Sequence, residues 1–259
     1  LKLTFNTSSE KQKEATRAWI DPVITDIVYG GAKGGGKSYL GASLIFANAL
    51  TYPGTRYFIA RKQLNDLRKH TIPTIDKVFD DWGIDQKKYL RFNGQDNTYH
   101  LNNGSTVLLI EAKYWPRDPL YERFGSMTMT QGWIEEAGEF ESSAMTNLSI
   151  SIGRWMNDKY KLVGKLLQTC NPKKNYLYKE YYLPLKAGNL PADKAFIQAF
   201  ASDNTKNEAG YVARLNAKLK GVDRQRLLEG DWEYAEDADA LIQYDKILDI
   251  FTNQFVPGG

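Results

Sequence analysis

Residues Gly31-Ala32-Lys33-Gly34-Gly35-Gly36-Lys37-Ser38 fit the spacing G-x-x-x-x-G-K-[ST] without a mismatch, and no other stretch of the chain leaves so few folds open. The pattern has structural meaning only where a strand leads into it and a helix leads away. Both flanks are present. Ile24 to Tyr29 reads as a short buried strand rich in β-branched residues, and Tyr39 to Ala49 places Leu40, Leu44 and Ala47 at helical spacing. Glycines at 34, 35 and 36 allow positive φ, so that successive N–H groups converge on phosphate oxygens at the positive end of the helix dipole. The reading is a nest for a nucleoside triphosphate, ATP, cradled by Gly31, Ala32, Lys33, Gly34, Gly35 and Gly36. Lys37 is placed to neutralise the β and γ phosphates and Ser38 to hold Mg²⁺. The plainer alternative is a glycine-rich surface turn with a solvated lysine.

The rest of the chain alternates strand and helix signals, with no internal repeat, low-complexity segment or long Pro/Ser linker. Ser9 and Gln12 have capping-box spacing for a first helix that stops before Asp21-Pro22. Thr55 to Ala60 reads as a strand, and Leu64 to Trp82 as a helix interrupted near Pro73. Asn97 to Leu101, Asn102-Asn103-Gly104 and Ser105 to Glu111 spell a β-hairpin, because Asn-Gly suits turns whose twist matches paired strands. A further strand ends at Glu135, and Phe140 to Trp155 reads as helix. Leu162 to Thr169 and Ala195 to Phe200 read as strands, and a helix from about Glu208 ends at Gly221. Such alternation after a glycine loop predicts an α/β fold with a mainly parallel, doubly wound sheet, a β-hairpin insertion and the ligand at the strand carboxyl ends.

Composition narrows the setting. The 259 residues are 42% hydrophobic and 25% charged, ordinary for a globular chain, and no stretch is apolar for long enough to span a bilayer. Leu1 to Lys13 has no signal-peptide core, so no membrane partner is expected and a cytosolic setting is. The single cysteine, Cys170, excludes an internal disulfide and leaves too few thiols for a structural zinc site. With a net charge of only +3, a polyanion would have to be met by local patches such as Arg61-Lys62, Arg68-Lys69-His70, Lys87-Lys88 and Lys173-Lys174. Each patch serves equally as a solvated face.

Two further segments carry chemistry. Trp133-Ile134-Glu135-Glu136-Ala137 is an apolar approach to adjacent carboxylates. At a strand end neighbouring side chains diverge, so Glu135 can face a metal while Glu136 orients or deprotonates the attacking water. An acidic pair at a helix start would look similar. Leu166-Leu167-Gln168-Thr169-Cys170-Asn171-Pro172 is a buried-type strand ending in small polar residues that could reach a γ phosphate or, more simply, mark a turn.

In order along the chain, the motifs are Gly30 to Ser38, Arg123-Phe124-Gly125 leading to Trp133 to Ala137, and Thr169 to Pro172 followed by Tyr176 to Tyr182. Ala201-Ser202-Asp203-Asn204, Tyr211, Leu215 and Gly230-Asp231-Trp232 come next. Together they resemble the large terminase subunit of tailed bacteriophages, the ATPase that drives DNA into the procapsid. The resemblance implies a P-loop ATPase fold of the ASCE type and carries roles residue by residue. Lys37 and Ser38 match the Walker A lysine and magnesium ligand, Glu135 the Walker B metal-side acid and Glu136 the catalytic glutamate. Asn171 matches the coupling-motif sensor, on a strand lying between the P-loop and Walker B strands. Gln12 matches the adenine-recognition glutamine, a role standing beside its capping-box spacing. Lys33 stands where many relatives carry Arg, which removes the planar fork a finger in cis would use. Arg123 resembles the basic residue that can reach a neighbouring subunit's nucleotide, and a surface ion pair is its alternative.

The resemblance also implies a two-part protein in which such an ATPase precedes a nuclease. Residues 1–234 then read as the ATPase domain and 235–259 as a linker or lid segment, in a fragment without nuclease activity. The partners implied are double-stranded DNA, the portal protein, the small terminase subunit and further copies of the chain. The resemblance implies that these copies form a homo-oligomeric ring on the procapsid in the host cell cytoplasm, with the chain expected as a monomer in isolation. A helicase-like or remodelling ATPase, or a nucleotide-binding module with weak activity when isolated, are the other readings of the same motifs.

Overall fold

The computed structural model describes residues 9–234. The expected linker or lid, 235–259, lies outside the described residues. Within them one eight-stranded sheet runs in the order β3-β4-β5-β2-β6-β7-β1-β8. The strands are β1 (Asp26–Gly31), β2 (Arg56–Arg61), β3 (Leu90–Asn93), β4 (Thr98–Leu101), β5 (Thr106–Glu111), β6 (Gln131–Glu135), β7 (Leu166–Cys170) and β8 (Lys194–Ala199). From β5 to β8 every pairing is parallel, while β3 and β4 are antiparallel additions at one edge.

The central strands read as continuous apolar runs because both sheet faces are covered. Ile27, Tyr29, Tyr57, Ile59, Trp133 and Leu167 face one core, closed by α1 (Glu10–Ile20), α2 (Lys37–Thr51) and, beyond a short α3 (Leu64–Asp66), α4 (Ile72–Asp81). Val28, Phe58, Ala60 and Ile134 face the other, closed by α5 (Ser142–Ile150), by Tyr178 and Tyr181, and by Trp232. The alternation along β1 and β2 thus builds two cores from one sheet. Further helices are α6 (Asn157–Tyr160), α7 (Leu183–Lys186), α8 (Tyr211–Lys218) and α9 (Gly221–Leu227).

Several expectations shift. The expected break near Pro73 is a π turn, Leu67–Thr71, entering α4 with Pro73 in its first turn. Proline has no N–H and its ring crowds the carbonyl four residues back, and a widened turn relieves both. The hairpin is β4 and β5, and it extends the parallel strands towards the edge strand β3, because β5 also pairs with β2 and β4 with β3. Its Asn-Gly pair does not make the expected turn, in which both residues have positive φ. Only Gly104 does, at +83°, closing a three-residue connection between Leu101 and Ser105. Helix α5 stops at Ile150 instead of Trp155, where Gly153 turns to φ +78°. Gly221 opens α9 instead of ending α8. The short strand β3 had no clear signal between Lys87-Lys88 and Asn93-Gly94.

Candidate active site

Parallel register gathers the chemistry at one edge of the sheet. Gly30 lies beside Cys170 and Glu135 beside Thr169, so the glycine loop, Glu136 and Asn171 emerge together from β1, β6 and β7. Strand β7 lies between β1 and β6, as the resemblance implied. The edge opens into a cleft of about 420 Å³ lined by Gln12, Lys33, Gly34, Gly35, Gly36, Lys37 and Ser38, by Tyr39, Thr74 and Lys77, and by Glu136, Asn171, Asn204, Lys206 and Asn207.

Backbone shape explains the glycines. Gly34 and Gly36 have φ of +82° and +72°, and Gly36 caps α2. At Gly31 a Cβ would stand 2.0 Å from the Ala199 carbonyl, whose oxygen accepts from Ala32 N at 2.9 Å. Adjacent β8 therefore excludes any side chain there. Gln12 lies on α1, whose N-cap Ser9 accepts from its backbone N–H. Its own amide Nε2 crosses to the Gly36 carbonyl at 3.0 Å. One residue thus bonds the helix cap and lines the cleft. Lys33 is exposed on the cleft rim, and its N–H donates to Leu227 O.

Lys37 Nζ donates to Ala32 O at 2.6 Å and to Asn171 Oδ1 at 3.0 Å. The Asn171 amide in turn reaches Glu136 Oε2 at 3.4 Å. Burial depresses the Lys37 ammonium and raises the Glu136 carboxyl, outweighing their mutual attraction. Glu136 takes the left-handed region, φ +53°, just past the strand end, an outlier of the kind that clusters at functional sites.

The two glutamates separate as expected, but only Glu136 lines the cleft. Glu135 is 4% exposed, accepts from Thr71 of the π turn and stands 3.5 Å from Arg61 Nη1, both contacts falling on Oε2. Ser38, in the first turn of α2, does line the cleft. Of the coupling segment only Asn171 reaches it. Thr169 Oγ1 accepts from the Trp133 indole at 2.9 Å, and Cys170 is buried in the second core, which pushes its thiol well up.

Arg123 lies apart from this cleft. Its guanidinium pairs with Asp118, donates to Lys113 O at 2.7 Å and lies 4.3 Å from the Trp115 ring centroid. The structure thus shows the ion pair that was its alternative. Among the basic patches, Arg61 is turned inward to Glu135 and Arg68 is engaged with Gly94 and Asn97.

Sequence reasoning missed Asn207, Lys206, Thr74 and Lys77, and found Asn204 without a role. Asn204 and Asn207 both donate to the Gly34 carbonyl, and Lys206 pairs with Asp81 of α4 at 3.3 Å. The polar run Asp203 to Glu208 was their one signal, and it reads as loop. The late Gly230-Asp231-Trp232 motif also acquires a structural reason. Trp232 is fully buried, so close that a Cβ on Gly30 would stand 2.9 Å from its ring.

Comparison with known proteins agrees with this geometry. The family model described as phage terminase large subunit matches residues 24–226. No curated protein sequence is similar enough to match. The large terminase of a thermophilic bacteriophage is similar in fold with a TM-score of 0.68 and 18% identity, over 88% of this chain and 54% of that one. The same protein in complex with ATP-gamma-S gives 0.66 and 19%, over 87% and 53%. The large terminase ATPase domain of Thermus phage P74-26 gives 0.61 and 10%, over 88% and 94%. The chain thus spans about half the length of the first of these proteins. With residues 24–226 inside the family match, the chain belongs to the phage terminase large subunit family.

Proposed function

We propose that this chain hydrolyses ATP to drive double-stranded DNA into a viral procapsid. The observation that carries the reading is the bridge in which Asn171 touches both Lys37 and Glu136, joining the phosphate loop to the proposed base. Incoming phosphate oxygens would compete for the Lys37 amine with the Gly31 and Ala32 carbonyls, which lie 3.4 and 2.6 Å from it. Glu136, raised by burial, is suited to take a proton from an attacking water, and Asn171 reports the change to β7.

The donor types suit Mg²⁺, with Ser38 in the cleft and Glu135 buried outside its lining. One hydroxyl, Ser38, and one carboxylate, Glu135, suit an ion that draws its other ligands from phosphates and water, and Thr71 and Arg61 hold that carboxylate still. When bound, the ion would supply charge neutralisation for the phosphates. Gln12 and the loop residues Gly31 to Gly36 bind the nucleotide.

The proposal extends to partners. Copies of the chain assemble as a ring with the portal protein and small terminase subunit in the host cytoplasm, and Arg123 then leaves Asp118 to serve a neighbour's nucleotide. Among the described residues no helix is long and apolar enough to cross a membrane. The thermophilic bacteriophage protein complexed with ATP-gamma-S supports the nucleotide part of the reading. Glu136→Gln is expected to bind ATP as the parent does and to lose turnover by at least about a hundredfold, measured by nucleotide titration beside steady-state phosphate release. Parent-like hydrolysis would move the base to another carboxylate. We assign no nuclease activity to this chain, and metal-dependent DNA cleavage surviving Glu136→Gln would overturn that assignment.

A further inference from the structure

The carbonyls of Gly34, Gly35 and Gly36 each accept a hydrogen bond from a side chain outside the loop. Asn204 Nδ2 and Asn207 Nδ2 donate to Gly34 O at 2.8 and 3.1 Å, Tyr29 OH to Gly35 O at 3.2 Å, and Gln12 Nε2 to Gly36 O at 3.0 Å. In a planar trans peptide the carbonyl and the next N–H point in opposite directions. Holding these carbonyls therefore also sets the directions of the Gly35, Gly36 and Lys37 N–H groups, the donors of a phosphate nest. Glycine is the residue least able to hold such directions by itself.

The amide donors of the two asparagines are all committed. Asn204 accepts from Lys206 N and donates to Asn207 Oδ1 as well as to Gly34. Asn207 donates its second proton to Ala201 O. Every amide N–H is thus used and each oxygen already accepts one bond, which leaves neither side chain a donor for a nucleobase or ribose. Tyr211 packs from the same side, so close that a Cβ on Gly34 would stand 2.5 Å from its ring.

We propose that Asn204 and Asn207 are positioning residues for the polyphosphate. They hold the Gly34 carbonyl, and with it the Gly35 N–H, and so set the affinity of the glycine loop for phosphate whatever base is attached. The inference rests on the ATP-site reading above. It makes the segment after β8 a further support of the loop besides Gln12.

The test is calorimetric titration of the purified full chain with pyrophosphate and with ADP, for the parent, Asn204→Ala, Asn207→Ala and the double variant. Because both amides meet one oxygen, each single variant should lose about threefold or less, and the double variant about tenfold, equally for both ligands. Tyr29→Phe keeps the ring in the core and removes the Gly35 donor. It should lose about threefold for both ligands and guards against a double variant that fails to fold. Unchanged pyrophosphate affinity in the double variant would overturn the proposal. So would a loss confined to ADP, which would make the amides base or ribose contacts. A parent that binds neither ligand would overturn the nucleotide site itself, a distinguishable result.

Discussion

At Gly41 a single missing methyl group determines how closely the P-loop helix approaches the sheet. A Cβ there would lie 2.2 Å from the Trp133 ring, and Trp133 is fully buried with its indole N–H held by Thr169. Helix propensity alone favours alanine over glycine by about 1 kcal/mol. Overpacking a pinned ring costs about 1–3 kcal/mol, so packing wins. Gly41→Ala is therefore predicted to destabilise the fold, read as a lower urea midpoint at unchanged slope. A gain in stability would show that the ring can yield. Gln12 teaches a related lesson: it shares a capping spacing with Ser9, and only its long side chain, reaching Gly36, reveals the second use.

Among the elements, the π turn Leu67–Thr71 links a proline to the proposed metal site. Widening the helix ahead of Pro73 accompanies the placement of Thr71, fully buried, against the Glu135 carboxylate. A hydrogen bond to a charged acceptor contributes about 1.5–3 kcal/mol. Thr71→Val, nearly the same shape, should therefore lower ATP turnover roughly tenfold or more while circular dichroism shows the helix content retained, and Thr71→Ser should restore turnover. Equal rates in all three proteins would mean that Arg61 alone holds Glu135.

Across the molecule, the proposed nucleotide cleft and Arg123 lie apart, and Arg123 is engaged with Asp118, Lys113 and the Trp115 ring. If Arg123 serves a neighbouring copy, hydrolysis per chain must rise steeply with protein concentration, because a finger supplied in trans is worth about three to five powers of ten in rate. Arg123→Ala should remove that rise and leave the dilute rate unchanged. A rate per chain independent of concentration would confine catalysis to one copy.

The sequence by itself determined the parts that rest on local rules. The glycine loop between Ile24–Tyr29 and Tyr39–Ala49, the alternation of strand and helix, and the residue types at 37, 135, 136 and 171 are all legible because turn chemistry and apolar periodicity act over a few neighbours. Only the tertiary structure decided which side chains meet. That Thr71 and Arg61 hold Glu135, that Asn204 and Asn207 meet at Gly34, and that Trp232 fills the space left by Gly30 depend on contacts between segments far apart in the chain. Asparagine in a polar run and threonine before a proline look the same in a solvated loop. Their partners exist only once the parallel register of β1, β6 and β7 has drawn the loops to one edge.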